Sequence, residues 1–227
     1  MSNTYLTGEQ TKRKIFKESK KLFYKNGFTE TTYDDISNAA KVNRALIPYH
    51  FKSKQVLGQE VYCKIIEEFQ NEIDGILDIS QFTPDFTSIL HAVSYYRLLE
   101  NNARFSRFVF QLLSDETTPI FTRDNEKELL VKLGSRFSRF SDTELDILAQ
   151  MNIGIKKELI RMLCLSEKRI NADQIACMHI HMLMNHAGYS ARKTDELIQA
   201  AFEVANLLSF HVKSCLLYTS PSPRDTR

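Results

Sequence analysis

Between Thr31 and Lys54 the chain reads TTYDDISNAAKVNRALIPYHFKSK, in which two short helical segments meet across a turn too tight for large side chains. Thr32 is placed to cap the first segment: its hydroxyl can accept from the amide of Asp35, and the Asp35 carboxylate can return the bond. Negative charge there also suits the positive end of a helix. Ile36, Ala39 and Ala40 form the expected inward face, small enough for a close crossing at Lys41-Val42, with Val42 filling the angle. Asn43 is the expected cap of the next helix, Arg44 to about His50, which turns Ile47 and Phe51 toward the core. Helices joined this way form a unit whose second member fits the major groove of a duplex, N-terminal end first.

On that geometry Asn43, Arg44, Ala45 and Leu46 are the candidates for base edges and phosphates. Arg44 can bond a guanine bidentately or clamp a phosphate. Tyr49 and His50 can reach flanking phosphates, with a core position the alternative for Tyr49. Two residues sit awkwardly in the pattern. Lys41 occupies a turn position that asks for positive φ or another geometry. Pro48 removes the amide that should bond the Arg44 carbonyl and biases Ile47 away from helix, so the second helix is expected to be short or kinked.

The rest of the chain reads as helix. Seven glycines and five prolines in 227 residues, with 43% hydrophobic residues, favour an all-α fold with a substantial core. No apolar run approaches the roughly 18 to 20 residues that span a bilayer, and MSNTYLTGEQTKRK lacks the apolar core of a signal peptide, so a cytoplasmic protein is expected. Cys63, Cys164, Cys177 and Cys215 are widely separated and form no C-x-x-C pair, suggesting neither a disulfide framework nor a thiolate zinc site. Residues 1–54 hold 11 Lys or Arg against 5 Asp or Glu, whereas the remainder is net negative. The positive field thus lies where phosphates would be met.

From about Thr7 to Asn26 one helical face carries Ile15, Phe16, Ser19, Leu22 and Phe23, and Lys12, Lys14, Lys17, Lys20, Lys21 and Lys25 fill the remainder. Gly27 ends that helix. Beyond the cap Ser53, a fourth helix is expected from Lys54 to about Ile79, with a stripe at Val56, Val61, Ile65, Phe69, Ile73 and Ile76. No linker follows, so this helix itself is expected to connect two domains, 1–53 and 54–215. Further helices are expected at about 84–101, 102–114, 118–139, 142–165, 172–188 and 194–214.

The stretch from Gly27 to Lys54 resembles the DNA-binding domain of the TetR/AcrR family of bacterial transcriptional regulators over about residues 8–60. The resemblance rests on Gly27-Phe28, Thr31-Thr32, Asp35-Ile36, Ala39-Ala40 and Tyr49-His50-Phe51 followed by Lys52-Ser53-Lys54. It implies a three-helix N-terminal helix-turn-helix domain, then a larger helical ligand-binding and dimerisation domain. By resemblance, Thr31 or Thr32, Tyr49, His50 and Lys54 are phosphate contacts, and the N-terminus of the fourth helix assists Lys54. The resemblance also implies an inducer cavity between the fourth helix and those after it. Ile65, Phe69, His91, Tyr95, Phe105, Phe108 and Met151 are the residues expected to line it, with a surface position the alternative for His91 and ordinary core packing for the others.

In Cys177-Met-His-Ile-His-Met-Leu-Met-Asn-His186 a metal site is not expected, because His179 and His181 point about 200° apart on a helix and Cys177 with His181 lacks a third ligand. No cofactor is expected either. Instead this helix and the last are apolar nearly all round, and helices with two apolar faces call for a second copy of the chain, a homodimer through about 172–188 and 194–214, with burial of both helices within one chain the alternative. LLYTSPSPRDTR at 216–227 is expected to be a disordered, non-native tail. No nucleophile-base pair, glycine-rich phosphate loop or supported carboxylate pair argues for an enzyme. The expected function is a ligand-responsive regulator, a repressor that releases a near-palindromic double-stranded DNA operator when a small-molecule effector binds. An all-α interaction module without DNA binding stays open through Pro48.

Overall fold

A computed structural model describes residues 7–115, 123–132, 136–165 and 171–208. Among these the regular structure is helical throughout: α1 (Gly8–Asn26), α2 (Tyr33–Ala40), α3 (Leu46–Phe51), α4 (Lys54–Ile76), α5 (Pro84–Asn101), α6 (Ala103–Ser114), α7 (Arg123–Lys132), α8 (Asp142–Leu165), α9 (Ala172–His186) and α10 (Ala191–Leu208). Single 3₁₀ turns lie at Ile79–Gln81 and Phe137–Arg139. An N-terminal helix-turn-helix domain is therefore followed by a larger helical one, as expected. Residues 117–119, Cys215, the far end of the last expected helix and the 216–227 tail lie outside the described residues.

Most starts follow from a local side chain that satisfies a free amide. Thr7 and Gln10 form a reciprocal capping pair on α1, and Ser53, Thr83, Asn102 and Asn171 each accept an amide at the start of α4, α5, α6 and α9. Pro84 follows Thr83 in the first turn, where no amide is needed. Two expected boundaries are corrected. The helix expected over 118–139 is α7 followed by a separate turn at Phe137–Arg139. The last helix begins at Ala191 rather than Thr194, whose amide already bonds the Ser190 carbonyl at 3.0 Å.

Ile15, Phe23, Ile36, Ala40, Ile47 and Phe51 pack the N-terminal core, all essentially sealed from solvent. Lys20 does not belong to the solvated basic side of α1. It is buried and ion-paired with Glu68 of α4, a partner too distant in sequence to be read locally. Ala39, expected inside, faces out.

In the larger domain α5 is the centre, packing on α6, α8, α9 and α10. A polar chain crosses this core. The Tyr96 hydroxyl donates to His179 Nδ1 at 2.9 Å, His179 Nε2 donates to Asn152 Oδ1 at 2.7 Å, and Asn152 Nδ2 donates to the buried Glu126, which also pairs with Lys156 at 2.9 Å. The tautomer follows from the last links, since Asn152 spends its amide donor on a carboxylate and presents oxygen to the ring. His179 is thus a satisfied core histidine, while His181 faces Asp195 at 2.8 Å. Among the described residues no cluster of three or more His, Cys, Asp or Glu could hold a metal, and no helix is long and apolar enough to cross a membrane.

α4 is not the sole link between the domains. α6 packs on α1 and α4 on one side and on α5 and α8 on the other. Phe23 stacks on Phe108 with ring centroids 5.7 Å apart. At Gly58 a side chain would begin 2.7 Å from Phe28 and 2.8 Å from Leu112, so only glycine lets α4 pass this close.

Candidate nucleic-acid interface

The capped start of α2 forms as the sequence dictates. The Asp35 amide donates to the Thr32 hydroxyl at 3.1 Å, and the Thr32 amide and hydroxyl both donate to the Asp35 carboxylate. Those bonds hold the Asp35 carboxyl below its ordinary range. Thr31 is different: it is fully buried and its hydroxyl donates to the Gly27 carbonyl at 2.7 Å. Of the two threonines only Thr32 faces outward, so Thr31 is removed from the surface that could meet phosphate.

Lys41 resolves the turn at positive φ (52°, with ψ 49°). Its amide bonds the Asn38 carbonyl and that of Val42 bonds the Ser37 carbonyl at 3.1 Å, the paired closure that normally recruits glycine. Ser37 adds a hydroxyl bond to the Val42 carbonyl at 2.7 Å. The turn is therefore held from both sides, and the lysine side chain is exposed.

α3 begins at Leu46, two residues later than expected. Asn43 does not cap α3, which starts after Ala45 without a side-chain cap bond; its side chain instead accepts from the Ala45 amide at 2.8 Å and so forms a turn over Arg44-Ala45 before the helix starts. Pro48 then falls in the first turn, among amides that have no helical partner anyway. The Arg44 carbonyl is satisfied by Ile47 at 3.1 Å instead. A short helix is what Pro48 led us to expect, and its physical effect is to move the start rather than break the element.

Ile47 and Phe51 anchor α3 inward, which leaves Tyr49 79% exposed, a large aromatic standing off the surface. The tyrosine alternative of a core position is thereby excluded. Asn43, Arg44 and Ala45 are exposed, and Leu46 and His50 half-buried. Arg44 pairs with Asp34 at 3.0 Å and lies 5.9 Å over the Tyr33 ring, a solvent-facing arrangement weak enough to exchange for another anion. After α3 the chain turns at Lys52 (φ 63°, ψ −54°), where Ser53 bonds the Phe51 carbonyl two residues back. Sequence reading did not mark Lys52; no residue type at that point announces positive φ.

Lys54 opens α4. Its ammonium donates to the Thr29 carbonyl at 3.3 Å and lies 4.6 Å over the Phe28 ring. Partial burial pulls its pKa down, opposed by the charges of Glu30, Asp115 and Asp35. Thr32, Tyr49 and Lys54 thus stand on three elements fixed to one small core.

The cavity residues separate. Ile65 and Phe69 of α4 and Phe105 and Phe108 of α6 are buried, and the Tyr62 hydroxyl donates to that of half-buried Tyr95 at 3.1 Å, bridging α4 and α5. Burial drives both phenols well above their usual range. His91 is instead held by Asp74 at 2.7 Å, and Met151 is 53% exposed on the outer face of α8. Met151 is therefore corrected from a cavity position to a surface one.

Residues 15–61 match the family model of the bacterial regulatory proteins of the tetR family. No curated protein matches the chain. Among solved structures, RolR in complex with resorcinol is similar at TM-score 0.63 and 16% identity, with 84% of this chain and 94% of that one covered. FadR of Thermus thermophilus, a TetR-family transcriptional repressor in complex with lauroyl-CoA, gives TM-score 0.57 and 17% identity over 76% and 93%. SmeT, the repressor of a multidrug efflux pump of Stenotrophomonas maltophilia, gives 0.53 and 15% over 82% and 92%. At these identities the three likenesses concern the fold, and Thr31 to Lys54, with its cap, turn and short helix, lies wholly inside the segment that matches the family model.

Proposed function

We propose that this TetR-family transcriptional regulator is a homodimeric repressor that reads a near-palindromic operator through α3 and releases it when a small molecule enters the second domain. Proteins of that family are transcriptional regulators, not enzymes. The observation that carries the reading is the Tyr49 side chain, exposed on a helix whose Ile47 and Phe51 are locked inward, with Lys54 at the N-terminus of the helix that follows. Tyr49, Lys54, Thr32 and His50 hold phosphates in this reading. Asn43, Arg44, Ala45 and Leu46 meet base edges, Arg44 leaving Asp34 to do so.

The effector sits among Ile65, Phe69, Tyr95, Phe105 and Phe108, where α4, α5 and α6 converge, with the two phenols as polar handles. The domains are 1–53 and 54–215, coupled through α4 and α6. Dimerisation uses outward stripes on the last two helices: Met178 and Met182 of α9 and Leu207 of α10, all exposed, flanked by the half-buried Leu197, Ala200 and Val204.

Titration of labelled duplex from the region upstream of the protein's own gene, across a range of salt, tests the DNA reading. Tyr49→Ala and Lys54→Ala should weaken binding to every sequence, Lys54→Ala lowering the salt slope by about 1. Arg44→Ala or Leu46→Ala should instead change base preference. Unchanged affinity and salt dependence for Lys54→Ala would sink the phosphate assignment.

A further inference from the structure

Arg107 and Gln111 of α6 and its C-cap Asp115, each four apart, face the N-terminal domain and the start of α4. Arg107 donates to the Lys25 carbonyl at 2.7 Å, and Gln55 donates to Asp115 at 2.9 Å. Between them Gln111 makes a two-sided clamp: its oxygen accepts from the Thr29 amide at 3.2 Å, and its nitrogen donates to both oxygens of Glu30 at 2.8 and 3.1 Å. Gly27 makes room for it. A side chain there would begin 2.5 Å from the Gln111 oxygen and 2.6 Å from a Glu30 oxygen, at a φ of 99° that already favours glycine.

Lys54 binds the carbonyl of Thr29, the residue next to Glu30, so ammonium and carboxylate are neighbours without being paired. An ammonium has three donors, and the Thr29 carbonyl takes one. With Gln111 on both Glu30 oxygens, the remaining donors are not spent on that carboxylate. We propose that Gln111 is a positioning residue for DNA binding: by holding Glu30 it keeps the carboxylate off Lys54, and withdrawal of α6 hands Glu30 to Lys54 and quenches the phosphate contact. The second domain thereby has a direct electrostatic grip on the DNA surface, separate from any tilt of α4. Supporting this, the Gln111 bonds are the largest cause of the lowered Glu30 pKa, and Arg107 and Lys54 both lie within the field of that carboxylate.

The inference rests on the reading of Lys54 as a phosphate contact, and the test separates the two. Full-length protein is titrated onto a labelled duplex of arbitrary sequence at low salt, since the contact is independent of sequence. Gln111→Ala should weaken binding about two- to fivefold, the range of an exposed charge pair, and reduce the salt slope. Gln111→Glu, which repels Glu30 toward Lys54, should weaken it more. Adding Glu30→Gln to either variant should restore wild-type affinity, a rescue that simple undocking of α6 does not permit. Wild-type binding by Gln111→Ala, or failure of the Glu30→Gln rescue, overturns the inference while a weakened Lys54→Ala leaves the phosphate reading standing. Wild-type binding by Lys54→Ala overturns both.

Discussion

At the scale of single residues, His179 has the sharpest measurable consequence. Burial against Asn152 and Tyr96 lowers its pKa to about 3, so the folded protein holds a neutral ring. The unfolded chain protonates near the ordinary value of about 6.5, and stability present above that pH is lost as pH falls toward 3. At pH 5 the loss is roughly 2 kcal/mol relative to neutral pH. Urea midpoints at the two pH values should therefore separate more for the wild type than for His179→Gln; equal separations would show that the ring does not stay neutral. Little of this was legible in the sequence, because the partners of His179 lie on α5 and α8 and the segment around it reads only as an apolar helix. Thr31 and Lys20 share that limit: one is sealed by a bond to Gly27 across a turn, the other by Glu68 on another helix. The Thr32–Asp35 cap was legible because both partners lie within one helical turn.

At the scale of elements, α3 shows how a correct local rule can misplace a boundary. Asn43 was read as the cap, yet its oxygen takes the Ala45 amide in a turn before the helix, and α3 starts uncapped after Ala45, where the missing amide of Pro48 costs nothing. This assignment fixes the sign of a mutation. A proline breaking the helix would be relieved by Pro48→Ala, whereas a proline in a compatible first turn lowers the entropy of the unfolded chain. Pro48→Ala should accordingly destabilise the protein by about 0.4–1 kcal/mol with DNA affinity retained. A rise in the thermal midpoint would contradict the placement. Arg107 and Gln111 of α6 and its C-cap Asp115 were not marked by sequence reading, because their partners are 60 to 82 residues away and no local pattern names them.

At the scale of the whole molecule, a six-residue α3 presents few base-reading side chains, and one copy makes a small footprint on a duplex. In the proposed function two copies related by a two-fold axis read two half-sites and bind as one bivalent unit, whose affinity should far exceed that of either half. The proposed surface for that pairing is the outward face of α9 and α10, where Met178 and Leu207 are 73% and 76% exposed. The inner faces of the same helices are occupied by Ile175, Ile180, Ile198 and Ala201, so these outer side chains serve no core of their own chain. Met178→Glu combined with Leu207→Glu places four carboxylates in the proposed dimer interface without touching either core. Sedimentation should then give a monomer with wild-type helical content. Its affinity for a duplex carrying two half-sites should fall by about 100-fold or more, while affinity for a single half-site stays as in the wild type. A variant that stays dimeric would place the interface elsewhere, and a monomer that keeps full operator affinity would show that one α3 suffices.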